Sequence, residues 1–403
     1  MSIAARGELF ELAASVLRRG SDAPPLEKRL RDALRAHPEL DNEGRAWLAE
    51  AVLGTACLGL RLQFQLEDAG LAVEPSHLLA LYLFDEQQLP PPQPYAGVLQ
   101  AALGGTRFPE DAAARIAARH SLPLALARRL VAQWGEEEAA AFGAAVNVRG
   151  PITLRVNTLK TSRANLIARL ATQGVAARPG ALSPWSVLLD ERWNLRSSAE
   201  WRAGEFEVQD EGSQVLALET AAVPGDVVID YCAGRGGKSL ALAAQLDNQG
   251  RVFAYDVAPE RLKDLAVRRR RAGATCIEVI AAKEQLPMRA DVVLVDAPCG
   301  ESGVLRRSPA KRFPGEGGDF DPMTTLQLSL LEEGSSLVRR GGALVYATCS
   351  VLAAENDDVI ASFLRIRPDY VEEHRRVLLP HKEGTDGFFV ARLRRREGTA
   401  DRP

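Results

Sequence analysis

Over roughly the first 140 residues, apolar positions recur at helical spacing, as in LEKRLRDALRAHPELDNEGRAWLAEAVLGTACLGLRLQFQLED, and no stretch alternates as a strand does. The spacing predicts an all-helical domain over 1–140. LPPPQPYAG, from Leu89 to Gly97, reads as a loop, because its prolines bring no backbone donors to a helix interior. From about Val148 the period shortens. ITLRVNT and WSVLLD read as strands around the helix SRANLIARLATQG, which Thr161 or Ser162 can cap and Gly174 can end. A small α+β module over 145–200 follows. From 201 to 396, short continuous apolar runs alternate with helical stretches: VVID (Val227 to Asp230), VFAYD (Val252 to Asp256), CIEVI (Cys276 to Ile280), VVLVD (Val292 to Asp296) and ALVYAT (Ala343 to Thr348). Strands apolar on both faces belong to a parallel sheet covered by helices on both sides, so the fold class is α/β, with a doubly wound, mostly parallel, Rossmann-like domain. Residues 397–403 read as a tail, and there is no internal repeat.

Composition narrows this picture. The chain has 403 residues, 46% hydrophobic and 26% charged, which suits a soluble globular protein of two or three domains. No apolar run reaches the ~18 to 20 residues that span a bilayer, and MSIAARGELFELAASVLRRG lacks a signal-peptide core, so a cytoplasmic protein without a membrane partner is expected. Five cysteines without C-x-x-C spacing argue for free thiols and against a disulfide framework or a zinc site, and no metal is expected. A net charge of −3 does not by itself suggest a nucleic-acid binder. Any such reading has to rest on local patches.

The first apolar run of the α/β part ends in DYCAGRGGKS, a glycine-rich turn before a helix. Glycines let a ligand approach the backbone, and a helix N-terminus offers unpaired N–H groups. Asp256, at the end of the next strand and close to the ~20 residues expected after Gly237, is placed to bond ribose hydroxyls. The turn does not match G-x-G-x-x-G, and it lacks the leading glycine of a P-loop. S-adenosylmethionine is the better ligand. Cys232, Ala233, Gly234, Gly236, Gly237 and Lys238 are the candidate lining residues, with Asp256 and Asp296 at neighbouring strand ends.

Two cysteines leave strand ends in the same way, Cys299 in ADVVLVDAPCGESGV and Cys349 in GGALVYATCSV. Ligands of an open parallel sheet sit outside the carboxyl ends of its strands. If the two strands are neighbours, about 4.8 Å apart, both thiols can flank one substrate atom. Cys57 and Cys276 read as structural. Asp296, Ser350, Glu355 and Asn356 cluster around the pair, which is costly without a purpose.

DYCAGRGGKS, VDAPCGESGVLRRSP, YATCSVLAAEND and LPHKEGTDGFFVARL resemble the motifs of the RsmB-like (Sun family) RNA cytosine-5 methyltransferases, and the likeness extends upstream through ITLRVNTLKTSR and FEVQDEGSQ, from about Leu122 to Arg396. The helical N-terminal part is similar in size and pattern to the NusB-like RNA-binding domain of the 16S ribosomal RNA enzymes. The resemblance implies 5-methylcytosine formation with S-adenosylmethionine, with Cys349 as nucleophile at carbon 6. Cys299 would assist loss of the carbon 5 proton and release, Asp296 would bond the base edge, and Lys238 would lie near the cofactor and the base. Both thiols would need a lowered pKa at neutral pH, for which Lys238 or Arg306 could supply positive charge. The chain departs from the family twice: Cys299 is followed by Gly300, Glu301 and Ser302 rather than serine, and AAKEQLP lacks the aspartate usually offered to adenine.

VLRRSPAKRF carries Arg306, Arg307, Lys311 and Arg312 directly after the Cys299 motif and reads as a track for RNA phosphates. The run Arg268 to Arg271 reads mainly as a solvated helix end, and VARLRRRE could add phosphate contacts. The expected partner is RNA, ribosomal by the resemblance, met by a monomer at an exposed or flipped cytosine. Three alternatives stay open: transfer RNA or another ribosomal site as substrate, a catalytically idle RNA-binding assembly factor, and Cys299 as nucleophile.

Overall fold

The uninterrupted valines and leucines of VVLVD become the middle of a seven-stranded sheet. Val292 to Val295 are at most 5% exposed, and burial of each such side chain is worth about 1.5–3 kcal/mol. A computed structural model describes residues 3–19, 23–89, 95–104, 106–191, 193–314 and 320–397. The chain divides into two units, Met1–Arg149 with Val304–Phe320, and Gly150–Gly303 with Asp321–Pro403.

The first unit is helical. Its described helices run from Ile3–Leu17 to Glu136–Asn147, several residues beyond the expected end at 140. Asp41 and Asp111 cap two of them by accepting from the N–H of Gly44 and Ala114. The apolar stripes of the helices from Ile3–Leu17 to Ala96–Leu103 feed a core that includes Phe10, Leu17, Leu26, Leu48, Leu62 and Leu79. Of the proline-rich stretch, residues 90–94 lie outside the described residues, and the next helix, Ala96–Leu103, takes in Ala96 and Gly97, where a loop was expected. Phe313, from the returning segment, is part of the same core.

The second unit holds two sheets. The smaller has strands β1 (Ile152–Val156), β2 (Ala177–Pro179), β3 (Ser186–Leu189) and β4 (Phe206–Val208) in the order β2-β3-β1-β4, with all three pairings antiparallel. Helix Arg163–Thr172 packs Leu166 and Leu170 against it, and Ser162 caps that helix by accepting from the N–H of Asn165.

The larger sheet has β5 (Val227–Asp230), β6 (Arg251–Tyr255), β7 (Ile277–Ile280), β8 (Ala290–Asp296), β9 (Val338–Thr348), β10 (Tyr370–Leu378) and β11 (Phe388–Arg395), ordered β10-β11-β9-β8-β5-β6-β7. The five expected runs form its parallel part, and β10 and β11 add an antiparallel edge. Strand order reverses between β5 and β8, which puts a crevice at their carboxyl ends. β10 and β11 were not anticipated as strands, since charge hides their alternation: Val390, Ala391 and Leu393 are buried while Arg392 and Arg394 pair with Glu373. Arg392 and Arg394 of VARLRRRE are therefore engaged in cross-strand ion pairs, and Arg395 pairs with Asp369. Arg268 and Arg271 likewise turn to Glu207, and Arg271 also covers the Trp201 ring. No helix among the described residues is long and apolar enough to cross a membrane.

Candidate active site at the carboxyl ends of the strands

The turn after β5 is shaped by its backbone. Gly234 and Gly236 have φ of +52° and +76°, and a Cβ on Gly236 would lie 2.4 Å from Leu265 Cδ1, so glycine is required there. The helix Gly237–Gln245 then starts with its N–H groups facing the turn. Asp256, just beyond β6, accepts from the N–H of Gly234 at 2.8 Å and of Ala258 at 2.9 Å. It thus fixes the glycine turn. Cys232 and Ala233 lead into the turn, and burial, helped by Asp296 and Asp230, pushes the Cys232 thiol far up. This glycine cradle at a helix N-terminus, flanked by carboxylates, fits a nucleoside with a cationic sulfur and amino group.

Two supports of the turn escaped the sequence reading. Asp230 is fully buried, accepts from Ser239 Oγ at 2.7 Å, and leaves Oδ1 without a partner. Burial pushes its carboxyl up to about 7. Arg155 of β1, 2% exposed, donates through Nη1 to the Gly237 carbonyl at 2.6 Å and to Gln209 Oε1 at 2.9 Å. Burial pulls that guanidinium down to about 10. A charged residue between Leu154 and Val156, both in the core, was the available signal.

Parallel pairing of β8 with β9 sets Asp296 opposite Ala347, and Ala297 donates to the Ala347 carbonyl at 2.9 Å. The two loops that follow run side by side. Gly303 donates to the Cys349 carbonyl at 2.9 Å, and the Ser302 and Ser350 hydroxyls meet at 3.0 Å. Asn356 closes the second loop through the Ser350 carbonyl at 3.0 Å and the Thr348 hydroxyl at 2.6 Å. The outcome is a pair of thiols, Cys299 Sγ and Cys349 Sγ, 3.3 Å apart. Hydrogen bonding to Cys299 holds the Cys349 thiol well above its ordinary range, with burial and the carboxylates of Asp296 and Glu301 pushing the same way. The sequence reading required a lowered value. Among the groups that act on Cys349, the neighbouring thiol and carboxylates outweigh the cation.

That cation is Lys238, whose Nζ donates to Asp296 Oδ2 at 2.6 Å. Burial opposes its charge, but Asp296, aided by Asp230, keeps its pKa above the usual value. Lys238, Asp296, Cys299 and Cys349 are therefore one cluster, next to the glycine turn. Glu301 has φ of +58°, a left-handed conformation that suits glycine better.

The basic stretch is placed differently. Arg306, Arg307, Lys311 and Arg312 belong to the segment grouped with the helical unit. Arg312 is fully buried and donates to Asn147 Oδ1, and burial, relieved in part by Cys57, lowers its pKa. It anchors the segment in the helical core and is removed from the phosphate-contact set; Arg307 is exposed, and Arg306 and Lys311 are half-buried.

A family model described as 16S rRNA methyltransferase RsmB/F matches residues 215–394, and one for the RsmF/B-like ferredoxin-like domain matches 122–196. A Bacillus subtilis protein named "Probable ribosomal RNA small subunit methyltransferase B" is 32% identical over 310 residues, covering 71% of this chain and 69% of its own length. The chain belongs to the RsmB/F family. A Xylella fastidiosa ribosomal RNA small subunit methyltransferase B is 34% identical over 289 residues, covering 67% of this chain and 66% of its own. Among solved structures, that of PH0851 has a TM-score of 0.78 at 25% identity over 98% of this chain and 99% of its own. A methyltransferase homolog from Pyrococcus horikoshii has a TM-score of 0.61 at 26% identity, over 70% and 97%. As a member of the RsmB/F family, the protein is an S-adenosylmethionine-dependent RNA methyltransferase.

Proposed function

We propose that the protein forms 5-methylcytosine in 16S ribosomal RNA through a covalent adduct between Cys349 and carbon 6 of the base. The observation that carries this reading is the pair of thiols 3.3 Å apart beside the Lys238–Asp296 ion pair. Carbon 5 of cytosine is a poor nucleophile, and adding a thiolate to carbon 6 makes it enamine-like. Cys349 rests as a thiol; as its sulfur bonds carbon 6, its S–H bond breaks and the proton passes to ring nitrogen 3. Asp296 accepts from the amino group and, once ring nitrogen 3 takes up a proton, from that N–H, so the charge developing on the ring is stabilised. Lys238, whose Nζ donates to Asp296 Oδ2, orients that carboxylate. S-adenosylmethionine, when bound in the glycine cradle, supplies the methyl group. Cys299, having given its own proton to solvent, then takes the carbon 5 proton as a thiolate; the freed electron pair restores the carbon 5–carbon 6 double bond, the sulfur–carbon 6 bond breaks with its electrons returning to Cys349, and Cys349 takes back the proton from ring nitrogen 3.

Asp256 and the turn residues Cys232, Ala233, Gly234, Gly236 and Gly237 hold the cofactor. Arg306, Arg307 and Lys311 contribute phosphate contacts, and the helical unit adds choice of site. The enzyme works as a monomer in the cytoplasm. The relatives' names favour small-subunit ribosomal RNA over transfer RNA as substrate.

The test is to map 5-methylcytosine in 16S and transfer RNA from a deletion strain complemented with wild type or Cys349→Ala. One 16S position restored by wild type alone supports the reading. Restoration in transfer RNA, or by Cys349→Ala, defeats it.

A further inference from the structure

The Cys299 loop is gripped by two side chains that the reaction scheme leaves unused. Glu355 is fully buried, and its Oε1 accepts from the N–H of Gly300 at 2.9 Å, from the N–H of Met323 at 3.2 Å and from Gln327 Nε2 at 3.0 Å. Gln327, also fully buried, donates through the same Nε2 to the Pro298 carbonyl at 3.0 Å. One Glu355–Gln327 pair thus holds both residues that flank Cys299, the preceding one by its carbonyl and the following one by its N–H. The backbone carbonyl of Glu355 also accepts from the Tyr346 hydroxyl at 2.6 Å, in the strand that leads to Cys349. The clamp is referenced to both cysteine loops.

Packing alone does not account for it. Glu355 Oε2 and Gln327 Oε1 are buried without hydrogen-bond partners, a cost that an apolar pair of similar size would avoid. What an apolar pair could not do is set the peptide planes on either side of Cys299. Gly300 places no side-chain restraint on its own backbone, so rotation there would swing the thiol away from Cys349.

We infer that Glu355 and Gln327 are positioning residues that aim the Cys299 thiol at the Cys349 adduct and so set the rate of release. The inference rests on the assignment above of Cys349 to attack and Cys299 to release. Misplacing a reacting group by about 1 Å can cost on the order of a hundredfold in rate.

The experiment uses full-length protein, S-adenosylmethionine and 16S ribosomal RNA transcribed in vitro, and follows the protein–RNA adduct and its decay on denaturing gels. Cys299→Ala is expected to trap the adduct. Glu355→Gln is expected to accumulate it too, with decay about ten to a hundredfold slower than wild type. Combining Glu355→Gln with Cys299→Ala is expected to slow decay no further than Cys299→Ala alone, because the clamp acts through that thiol. A general structural defect would slow both backgrounds alike, and that additive result overturns the inference. Wild-type decay in Glu355→Gln, with Cys299→Ala still trapping, overturns it while sparing the assignment of the cysteines. If Cys299→Ala traps nothing, the assignment falls and the inference with it. Gln327→Met, which leaves the carboxylate in place, gives the same comparison if Glu355→Gln does not fold.

Discussion

The glycine turn and the cysteine pair sit at the same end of one sheet and are built by different means. The turn is mostly backbone, closed by an aspartate 22 residues from the glycine it bonds. The cysteine site joins two side chains 50 residues apart, and it exists only because β8 and β9 are neighbours. A site made of backbone conformation leaves its mark on residue type, since φ of +76° against Leu265 admits little besides glycine. A site made by strand pairing leaves two ordinary-looking cysteines. The difference predicts that changes in the turn damage folding and cofactor affinity together, whereas changes at the pair damage rate alone.

The sharpest test of that contrast is Cys349→Ala. Methyl incorporation is expected to fall by at least about 10³-fold, the scale on which nucleophile removal acts, while the thermal midpoint stays close to wild type. A large loss of stability would erase the distinction.

Asp230 tests the other side through pH. The folded protein holds its carboxyl proton up to about 7, against an ordinary value of 3.8, because burial opposes the charge. A raised value means that the stabilisation is complete below the unfolded pKa and drains away as pH rises toward the folded one. At roughly 1.36 kcal/mol per pH unit, the whole change is at most about 4 kcal/mol. Asp230→Asn is expected to flatten this part of the stability curve, measured by urea denaturation across the window, and an unchanged slope would remove Asp230 as its source.

Gly236→Ala combines a left-handed φ with a clash against Leu265 and is expected to cost about 3 kcal/mol, with weaker S-adenosylmethionine binding by calorimetry. Normal stability would show that the turn tolerates a side chain. The smallest effect is expected at Glu301. Glu301→Gly relieves a left-handed residue and should stabilise by about 1 kcal/mol, and loss of the carboxylate should lower the Cys349 pKa, read as faster alkylation at a given pH. Slower alkylation would contradict the electrostatic picture.

The same contrast explains how far the sequence could be read. The five continuous apolar runs were legible because strands buried on both faces need no polar alternation, and the turn because its glycines are conformationally obligatory. The edge strands β10 and β11 were hidden by arginines whose partner, Glu373, is known only once the strands pair. Arg312 looked like an RNA contact because charge in a sequence carries no record of burial; Asn147, which receives it, lies 165 residues away. Arg155 was passed over for the opposite reason, as one polar residue in a strand. Glu355 was noticed beside Cys349, but its grip on the loop of the other cysteine could be seen only in three dimensions.

The bond from Arg155 to the Gly237 carbonyl crosses from the small sheet to the helix that follows the glycine turn. A fragment cut at about Trp201 would keep every motif of the large sheet and still lack that guanidinium. Transplanting the large sheet behind a foreign leader would leave the Gly237 carbonyl without its Arg155 donor. The small sheet is thus part of the enzyme's inheritance rather than a detachable accessory, and a chimera that replaces it has to bring the arginine along.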